Sequence, residues 1–334
     1  MNDDLISIYL DQNILSDIRP RKRKSLKNSS LDFLHHTLRN KHIFLMYSHV
    51  HFAEINQISK QEYIEEHISL LSELGAIYVK PVTNQLDTRN AHIIWKEYLE
   101  NEKENLESYN GNPEEAIDKI ARKLSGLPIN NTFSELNDLN RDIAISLIES
   151  VEREFRDLDQ ETLKSLGTEK IDQYKALFRE LREKANESNP LDIPEDKPLG
   201  PDIFRGWLKK QGISFDEIEP REVIPTIVNA LVSENKSSPL LQLPDGGIQS
   251  LITQCYHLMN WAGYHSDDFT SQKKGKDRFR ASSNDSSHAC EAIACNFIIS
   301  SDDKFIKKIQ ACYAFLELPP LIHTPEEFEQ QAPI

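Results

Sequence analysis

The chain has 334 residues, 38% of them hydrophobic, and a formal net charge of -15. This length can bury a substantial core, in one large domain or in two domains of ordinary size. Nowhere does the sequence approach the roughly 18 to 20 consecutive apolar residues that a membrane-spanning helix requires. Its first residues lack a signal-peptide pattern, and its four cysteines include no Cys-x-x-Cys pair. We therefore expect a cytoplasmic protein with reduced thiols and no membrane partner.

The first 80 residues alternate between short apolar runs and amphipathic segments. Runs at 5–10, 43–47 and 76–79 are rich in β-branched and aromatic residues and predict buried strands. The segments at 30–40 and 62–74 have helical periodicity. Strands that alternate with helices are typical of βαβ units, so the sequence predicts an α/β fold with a mostly parallel sheet.

Residues 88–245 differ in character, because long helical patterns dominate and strand signals are few. An apolar stripe from Ile143 to Leu158 recurs with helical spacing and predicts a packed core helix. A Pro-rich loop or linker follows at 186–201, and two shorter helices are expected after it. We interpret the whole stretch as a large helical insertion.

The α/β character returns towards the end of the chain. Further helices are predicted at 246–263, 285–295 and 303–315, and further strands at 297–300 and 321–323. A final helix opens at Thr324-Pro325, with Glu327 in the capping-box position. The sequence thus predicts one α/β domain, split into residues 1–87 and 246–334 by the insertion at 88–245.

Three acidic side chains follow predicted strands. Asp11 ends the first strand, Glu54 lies shortly past the second, and Asp302 follows the strand at 297–300. An open parallel sheet binds its ligands at the carboxyl ends of its strands, so we expect these acids to meet at one edge. A fourth acid, Asp285, opens the predicted helix before the last of these strands.

A cluster of carboxylates is typical of a site that binds a divalent cation. Several carboxylates within a few ångströms repel one another and are costly without a cation. Mg²⁺ and Mn²⁺ are hard ions that prefer oxygen ligands and would relieve this repulsion. Two such ions about 4 Å apart would activate a water and stabilise both oxygens of an in-line phosphodiester displacement. We therefore predict a site for two Mg²⁺ or Mn²⁺ ions.

The order of these motifs resembles that of PIN-like nucleases. The sequence carries Asp-x-Asn after the first strand, Glu after the second, Asp-x-x-His-Ala on a late helix and Ser-x-Asp-x-x-Phe after the next strand, and it closes with Ile-x-Thr-Pro-Glu-Glu-Phe. The resemblance covers roughly residues 1–85 and 245–330. It implies a three-layer α/β/α sandwich around a short parallel sheet and, most often, metal-dependent hydrolysis of RNA.

The same resemblance implies roles for individual residues. The metal-binding and catalytic carboxylates would be Asp11, Glu54, Asp285 and Asp302, with Asp303 as the alternative to Asp302. Asn13 and Ser300 would orient Asp11 and the water around it. His288 lies one turn beyond Asp285 and so faces the same side, where it could contact phosphate, a metal-bound water or only a structural partner.

Two basic runs are candidate contacts for a nucleic acid. The first contains Arg21, Lys22, Arg23 and Lys24, and the second contains Lys273, Lys274, Lys276, Arg278 and Arg280. A locally basic surface can bind phosphates even on a chain that is acidic overall. Two solvated loops rich in Lys and Arg would give the same pattern.

These observations predict a Mg²⁺- or Mn²⁺-dependent endonuclease, with RNA favoured over DNA as the substrate. A role as a toxin or an anti-phage defence effector is what the family resemblance suggests. A DNase that uses the same acids stays open, as does a non-catalytic PIN-like scaffold that recruits a partner. The insertion could bind a regulatory protein or form a homodimer. His49, His51 and Glu54 also form a His-x-His-x-x-Glu pattern that a zinc site could use.

Overall fold

The computed structural model describes residues 5–81, 83, 85–108, 113–159, 165–233, 247–267 and 277–332. The chain divides into two compact units, which we call unit 1 (Met1–Glu100 and Pro201–Ile334) and unit 2 (Asn101–Gly200). Among the described residues, no helix combines the length and the apolar character that crossing a membrane requires.

Unit 1 is built on a mixed sheet of six strands in the described part of the chain. The strands are β1 (Ile6–Leu10), β2 (Ile43–Ser48), β3 (Ile77–Val79), β4 (Leu86–Asp87), β5 (Phe297–Ile299) and β6 (Leu321–His323). Their order across the sheet is β4-β3-β2-β1-β5-β6. Strand β4 pairs antiparallel with β3, and every other pairing is parallel. The carboxyl ends of β2, β1 and β5 therefore lie side by side.

Helices account for most of the remaining described residues. Unit 1 contains α1 (Gln12–Asp17), α2 (Pro20–Leu26), α3 (Ser29–Thr37), α4 (His49–Asn56) and α5 (Gln61–Glu73), and α6 (Ala91–Ser108) runs across the boundary between the units. Unit 2 contains α7 (Pro113–Leu124), α8 (Phe133–Arg156) and α9 (Thr168–Glu187). The chain then continues in unit 1 with α10 (Pro201–Lys210), α11 (Val223–Ser233), α12 (Gly247–Ala262), α13 (Arg278–Glu291), α14 (Asp303–Phe315) and α15 (Pro325–Gln331).

Both faces of the sheet are covered by apolar side chains. Successive residues of a strand point to opposite faces, so Ile8 and Leu10 belong to one buried cluster and Tyr9 to the other. The cluster around Tyr9 includes Ile298 of β5 and apolar residues of helices α10 to α14. Burial on both faces explains why the parallel strands are continuous apolar runs and do not alternate with polar residues.

The predicted α/β class is confirmed, and each of the five predicted strands lies within one residue of an observed strand. Strand β4 was not predicted, because two residues, Leu86 and Asp87, are too few to give a periodic signal. Helix α13 starts at Arg278, with Asp277 as its N-cap, so the predicted start at residue 285 is wrong. Asp285 therefore sits in the middle of a helix and does not open one.

The boundary of the helical region differs from the predicted insertion at 88–245. Helices α10 and α11 belong to unit 1, because residues such as Leu208 and Ile227 share a buried cluster with Ile298 of the sheet. Unit 2 ends at Gly200, at the close of the predicted Pro-rich loop.

The predicted core helix of the insertion is not a buried one. Leu147, Val151 and Leu158 of the apolar stripe are 43%, 52% and 37% exposed. The buried side chains of α8 lie at its start, where Phe133 and Leu136 pack with Leu191. Helical periodicity alone does not say whether a partner covers the apolar face.

Truncating a buried side chain of the sheet should lower the stability of the fold far more than truncating an exposed one. Ile298 of β5 is fully buried, whereas Leu321 on the neighbouring β6 is 53% exposed. We expect Ile298→Ala to lower the free energy of unfolding by about 2–5 kcal/mol. Leu321→Ala should change it by less than about 1 kcal/mol. Urea denaturation of both variants tests this, and equal losses would contradict the buried position of β5.

Candidate functional site

The four predicted carboxylates all lie near the carboxyl ends of neighbouring strands. Asp11 follows β1 and caps α1, and Asp302 follows β5 and caps α14. Glu54 is on α4, which begins directly after β2. Asp285 is on α13, the helix that precedes β5. The parallel order of the strands thus places these acids, which are far apart in sequence, at one edge of the sheet.

Asp11 is buried and held by two hydrogen bonds. Its Oδ1 accepts from the backbone amide of Ile14 at 2.7 Å, and its Oδ2 accepts from the hydroxyl of Ser300. The pairing of β1 with β5 brings Ser300 there, since Leu10 lies opposite Ile299. Burial nevertheless raises the pKa of Asp11 from its ordinary value of 3.8 to about 6, with Glu54 adding to the rise.

Glu54 has partners that favour its charged form. His288 Nε2 donates to its Oε2 at 3.0 Å, and Asn284 Nδ2 donates to its Oε1 at 3.0 Å. Burial pushes the pKa of Glu54 upwards, but the hydrogen bond and charge of His288 and the amide of Asn284 outweigh it, so the pKa is lowered. Asn284 and His288 are one turn apart on α13, so both side chains can hydrogen-bond to the Glu54 carboxylate.

A buried chain of hydrogen bonds continues behind His288. Its Nδ1 lies 2.8 Å from the Tyr9 hydroxyl, which in turn lies 2.9 Å from the Ser48 hydroxyl. A carboxylate can only accept, so His288 Nε2 carries a hydrogen, and in the neutral ring Nδ1 accepts from Tyr9. Tyr9 is fully buried, and burial raises its pKa well above the ordinary value. It therefore stays protonated and fixes the orientation of the imidazole.

The zinc alternative is not supported by the position of His51. The backbone amide of Ser48 donates to its Nδ1 at 3.1 Å, and its Nε2 lies 2.8 Å from the carbonyl oxygen of Leu10. Both ring nitrogens are thus engaged with the backbone. Burial lowers the pKa of His51 well below its ordinary value, so the ring is neutral. It is a structural bridge between β1 and β2.

Asp285 is electrostatically coupled to the other acids. Burial raises its pKa well above the ordinary value, and the charges of Asp267, Asp302 and Glu54 add to the rise, while Lys308 opposes it. Glu54 also raises the pKa of Asp11. The four carboxylates thus form a continuous series of mutually repelling charges. Two of them, Asp11 and Asp285, resist ionisation.

The donor chemistry of this edge suits a hard divalent ion. Carboxylate oxygens are the ligands that Mg²⁺ and Mn²⁺ prefer, and a cation would oppose both the burial and the repulsion that raise the pKa values of Asp11 and Asp285. Within the described ranges, no three His, Cys, Asp or Glu side chains are grouped closely enough to form a ready metal site.

The other predicted residues occupy different positions. Asn13 is exposed in the first turn of α1, and Asp303 is exposed at the start of α14. Arg278 and Arg280 lie in the first turn of α13, about two turns before His288, and Arg280 is exposed. The predicted contacts Lys273, Lys274 and Lys276 lie outside the described residues.

The first basic run forms a helix whose cations are largely paired. Residues 20–26 form α2, which was not predicted. The pairs join Arg21 with Glu62 (3.6 Å) and Glu66 (3.3 Å), Lys22 with Asp17 (2.5 Å), and Arg23 with Asp32 (3.4 Å). Lys24 is exposed on the same helix. Phosphates would have to compete with these carboxylates, so the run is a weaker candidate contact than Arg280.

The structure brings residues to the site that the sequence reasoning missed. Tyr9 lies within a predicted apolar strand, and no motif in the sequence singles out Asn284. Buried Lys308 forms an ion pair with half-buried Asp267, and the charges of both act on Asp285. A signal for Lys308 was available, because it falls beside Phe305, Ile309 and Cys312 on the apolar stripe of the predicted helix at 303–315. A lysine on such a stripe indicates a buried partner.

Comparison of the chain with protein-family models, curated proteins and solved structures yields no significant match. The residues and their geometry therefore carry the functional argument.

The raised pKa of Asp11 predicts how metal-free protein responds to pH. Because the folded pKa of about 6 lies above the ordinary value, protonated Asp11 stabilises the fold at low pH. That contribution is complete below about pH 4 and is lost as the pH rises through about 6. In EDTA, the stability gained by Asp11→Asn over wild type should therefore grow by on the order of 2 to 3 kcal/mol between about pH 4 and pH 7.5.

Urea unfolding at the two pH values measures this difference. Contributions of the amide that do not depend on pH cancel in the comparison. A stability difference that is the same at both pH values would show that Asp11 is not held with a raised pKa.

Proposed function

We propose that this chain is a PIN-like, metal-dependent endonuclease that hydrolyses phosphodiester bonds, with RNA as its substrate. The observation that carries the proposal is the series of coupled carboxylates at the carboxyl edge of β2, β1 and β5. Buried acids with raised pKa values lower the stability of a metal-free protein, and such groups cluster at functional sites. The motif order that resembles PIN-like nucleases supports the same conclusion.

Asp11, Glu54, Asp285 and Asp302 would hold Mg²⁺ or Mn²⁺. A bound divalent ion would supply a water of lowered pKa and neutralise charge on the phosphodiester. Neighbouring side chains already orient two of these carboxylates for the ion. Ser300 orients Asp11, and His288 and Asn284 orient Glu54, so that these carboxylates lose little freedom when they engage.

The nucleic-acid partner would approach from the start of α13. Arg280 is exposed there and lies on the helix that carries Asn284, Asp285 and His288. A cation next to an acidic catalytic edge can hold a phosphate at a distance from the carboxylates. The buried, free cysteines fit the proposed cytoplasmic location, and the role as a toxin or defence effector stays a prediction.

A second candidate function is a non-catalytic PIN-like scaffold that recruits a protein partner or a second copy through unit 2. The observation that favours it is the set of large apolar side chains left exposed on unit 2. They include Leu147 and Val151 on α8 and Tyr174, Leu177 and Leu181 on α9. Such exposure is typical of surfaces that bind other proteins.

Loss of one carboxylate at a time should separate the two functions. With Mn²⁺, wild-type protein should cut RNA, and Asp285→Asn should reduce the rate by at least about 100-fold, because one ligand of the ion is gone. Asp302→Asn should be equally inactive, although Asn is also a good N-cap and keeps helix α14 intact. Asp303→Asn is the matched control: it removes the exposed neighbouring acid and should retain activity.

The assay uses matched RNA and single-stranded DNA oligonucleotides, each with Mn²⁺ and with EDTA. Faster metal-dependent cutting of DNA would make the protein a DNase that uses the same acids. Absence of cutting on both substrates, or equal cutting by Asp285→Asn, would contradict the nuclease and favour the scaffold.

A further inference from the structure

Lys308 is a buried cation at the acidic edge with no role in the site as described so far. Its side chain has no exposed surface. Its Nζ donates to Asp267 Oδ2 at 2.5 Å and to Asn260 Oδ1 at 3.0 Å, and it lies 4.3 Å from the centroid of the Tyr256 ring. Burial of an ammonium group costs several kcal/mol unless partners compensate for lost water. The position of this charge is therefore fixed by specific contacts.

The partner carboxylate is fixed as well. Asp267 Oδ2 also accepts hydrogen bonds from Asn260 Nδ2 at 3.0 Å and from the Ser282 hydroxyl at 2.8 Å, and the Asp267 amide donates to Asn260 Oδ1 at 3.0 Å. These contacts connect α12, α13 and the segment before residue 268. Both members of the ion pair are thus held by several hydrogen bonds.

The charges of two predicted metal-binding carboxylates, Asp285 and Asp302, act on this ammonium group. Ser282 and Asp285 are one turn apart on α13 and so face the same side. Asp302 caps α14, the helix that carries Lys308. Burial lowers the pKa of Lys308, and Asp267, Asp285 and Asp302 all act against that change. For the other two carboxylates, Asp11 and Glu54, it is the charge of His288 that acts against the rise in pKa caused by burial.

We propose that Lys308 is a built-in cation that takes the place of one of two divalent ions, so that the acidic edge binds a single Mg²⁺ or Mn²⁺. The proposal rests on the nuclease function proposed above and corrects its expected ion count from two to one. Lys308 acts through Asp285 and Asp302, whose repulsion it reduces, and is thus a positioning residue. It supplies permanent positive charge beside Asp285 and Asp302, so that one divalent ion is enough for the four carboxylates.

The number of bound ions tests this directly, without any measurement of cleavage. Mn²⁺ alone is titrated into the full chain, and free Mn²⁺ is followed by its electron paramagnetic resonance signal. We expect one ion per wild-type chain and two per Lys308→Gln chain, since the variant leaves Asp267, Asp285 and Asp302 without their cation. Lys307→Gln is the matched control: it removes an exposed lysine from the adjacent position and should leave the count at one.

Each outcome decides the proposal. Counts of one in wild type and two in Lys308→Gln support it, and a wild type that binds no ion overturns it together with the divalent ion of the nuclease proposal. Equal counts in wild type and Lys308→Gln overturn it, whether or not the protein cuts RNA. If Lys308→Gln does not fold, Mn²⁺-soaked crystals of wild type decide at the manganese absorption edge. One anomalous peak at the edge supports the proposal, and two overturn it.

Discussion

The burial of neighbouring carboxylates is the constraint on which the carboxyl edge of this sheet depends. Burial is the largest cause of the raised pKa of Asp11 and of Asp285, and repulsion from the neighbouring acids adds to it. The fold reduces this repulsion with fixed partners: the hydroxyl of Ser300 on Asp11, the imidazole of His288 on Glu54 and the ammonium group of Lys308 near Asp285. Apolar residues of similar volume would be at least as stable there. A cation bound at this edge, as proposed, would offset the cost of burying these carboxylates.

The topology explains how such distant residues come together. Strand β1 lies between β2 and β5, and parallel pairing aligns the carboxyl ends of all three. Strand order and register place Asp11 and Asp302, and the helices α4 and α13 place Glu54 and Asp285. Tyr9 of β1 links two neighbouring elements below this edge, since its hydroxyl contacts both Ser48 at the end of β2 and His288 on α13. The site is thus built into the sheet and not into a mobile loop.

Much of this framework was predictable, for identifiable reasons. The strands around Ile8, Leu45 and Ile298 are continuous β-branched and apolar runs, and parallel strands buried on both faces give that signal. The acids Asp11 and Asp302 could be placed because they follow such runs directly. Contacts across the chain could not be predicted: nothing local to Tyr9 specifies His288, and nothing local to Lys308 specifies Asp267. The exposed stripe of α8 was misjudged, because helical periodicity reveals an apolar face but not what covers it.

The most direct test of the acidic edge is the pKa of its carboxyl groups with and without Mg²⁺, read from the carboxyl carbon shifts of protein labelled at aspartate. In EDTA, Asp11 should titrate at about 6. With saturating Mg²⁺, its pKa and that of Asp285 should fall below the ordinary value for aspartate, because a bound cation favours the ionised form. Carboxyl titrations that do not respond to Mg²⁺ would contradict the assignment of this edge as a cation site, and with it the nuclease proposed on that site.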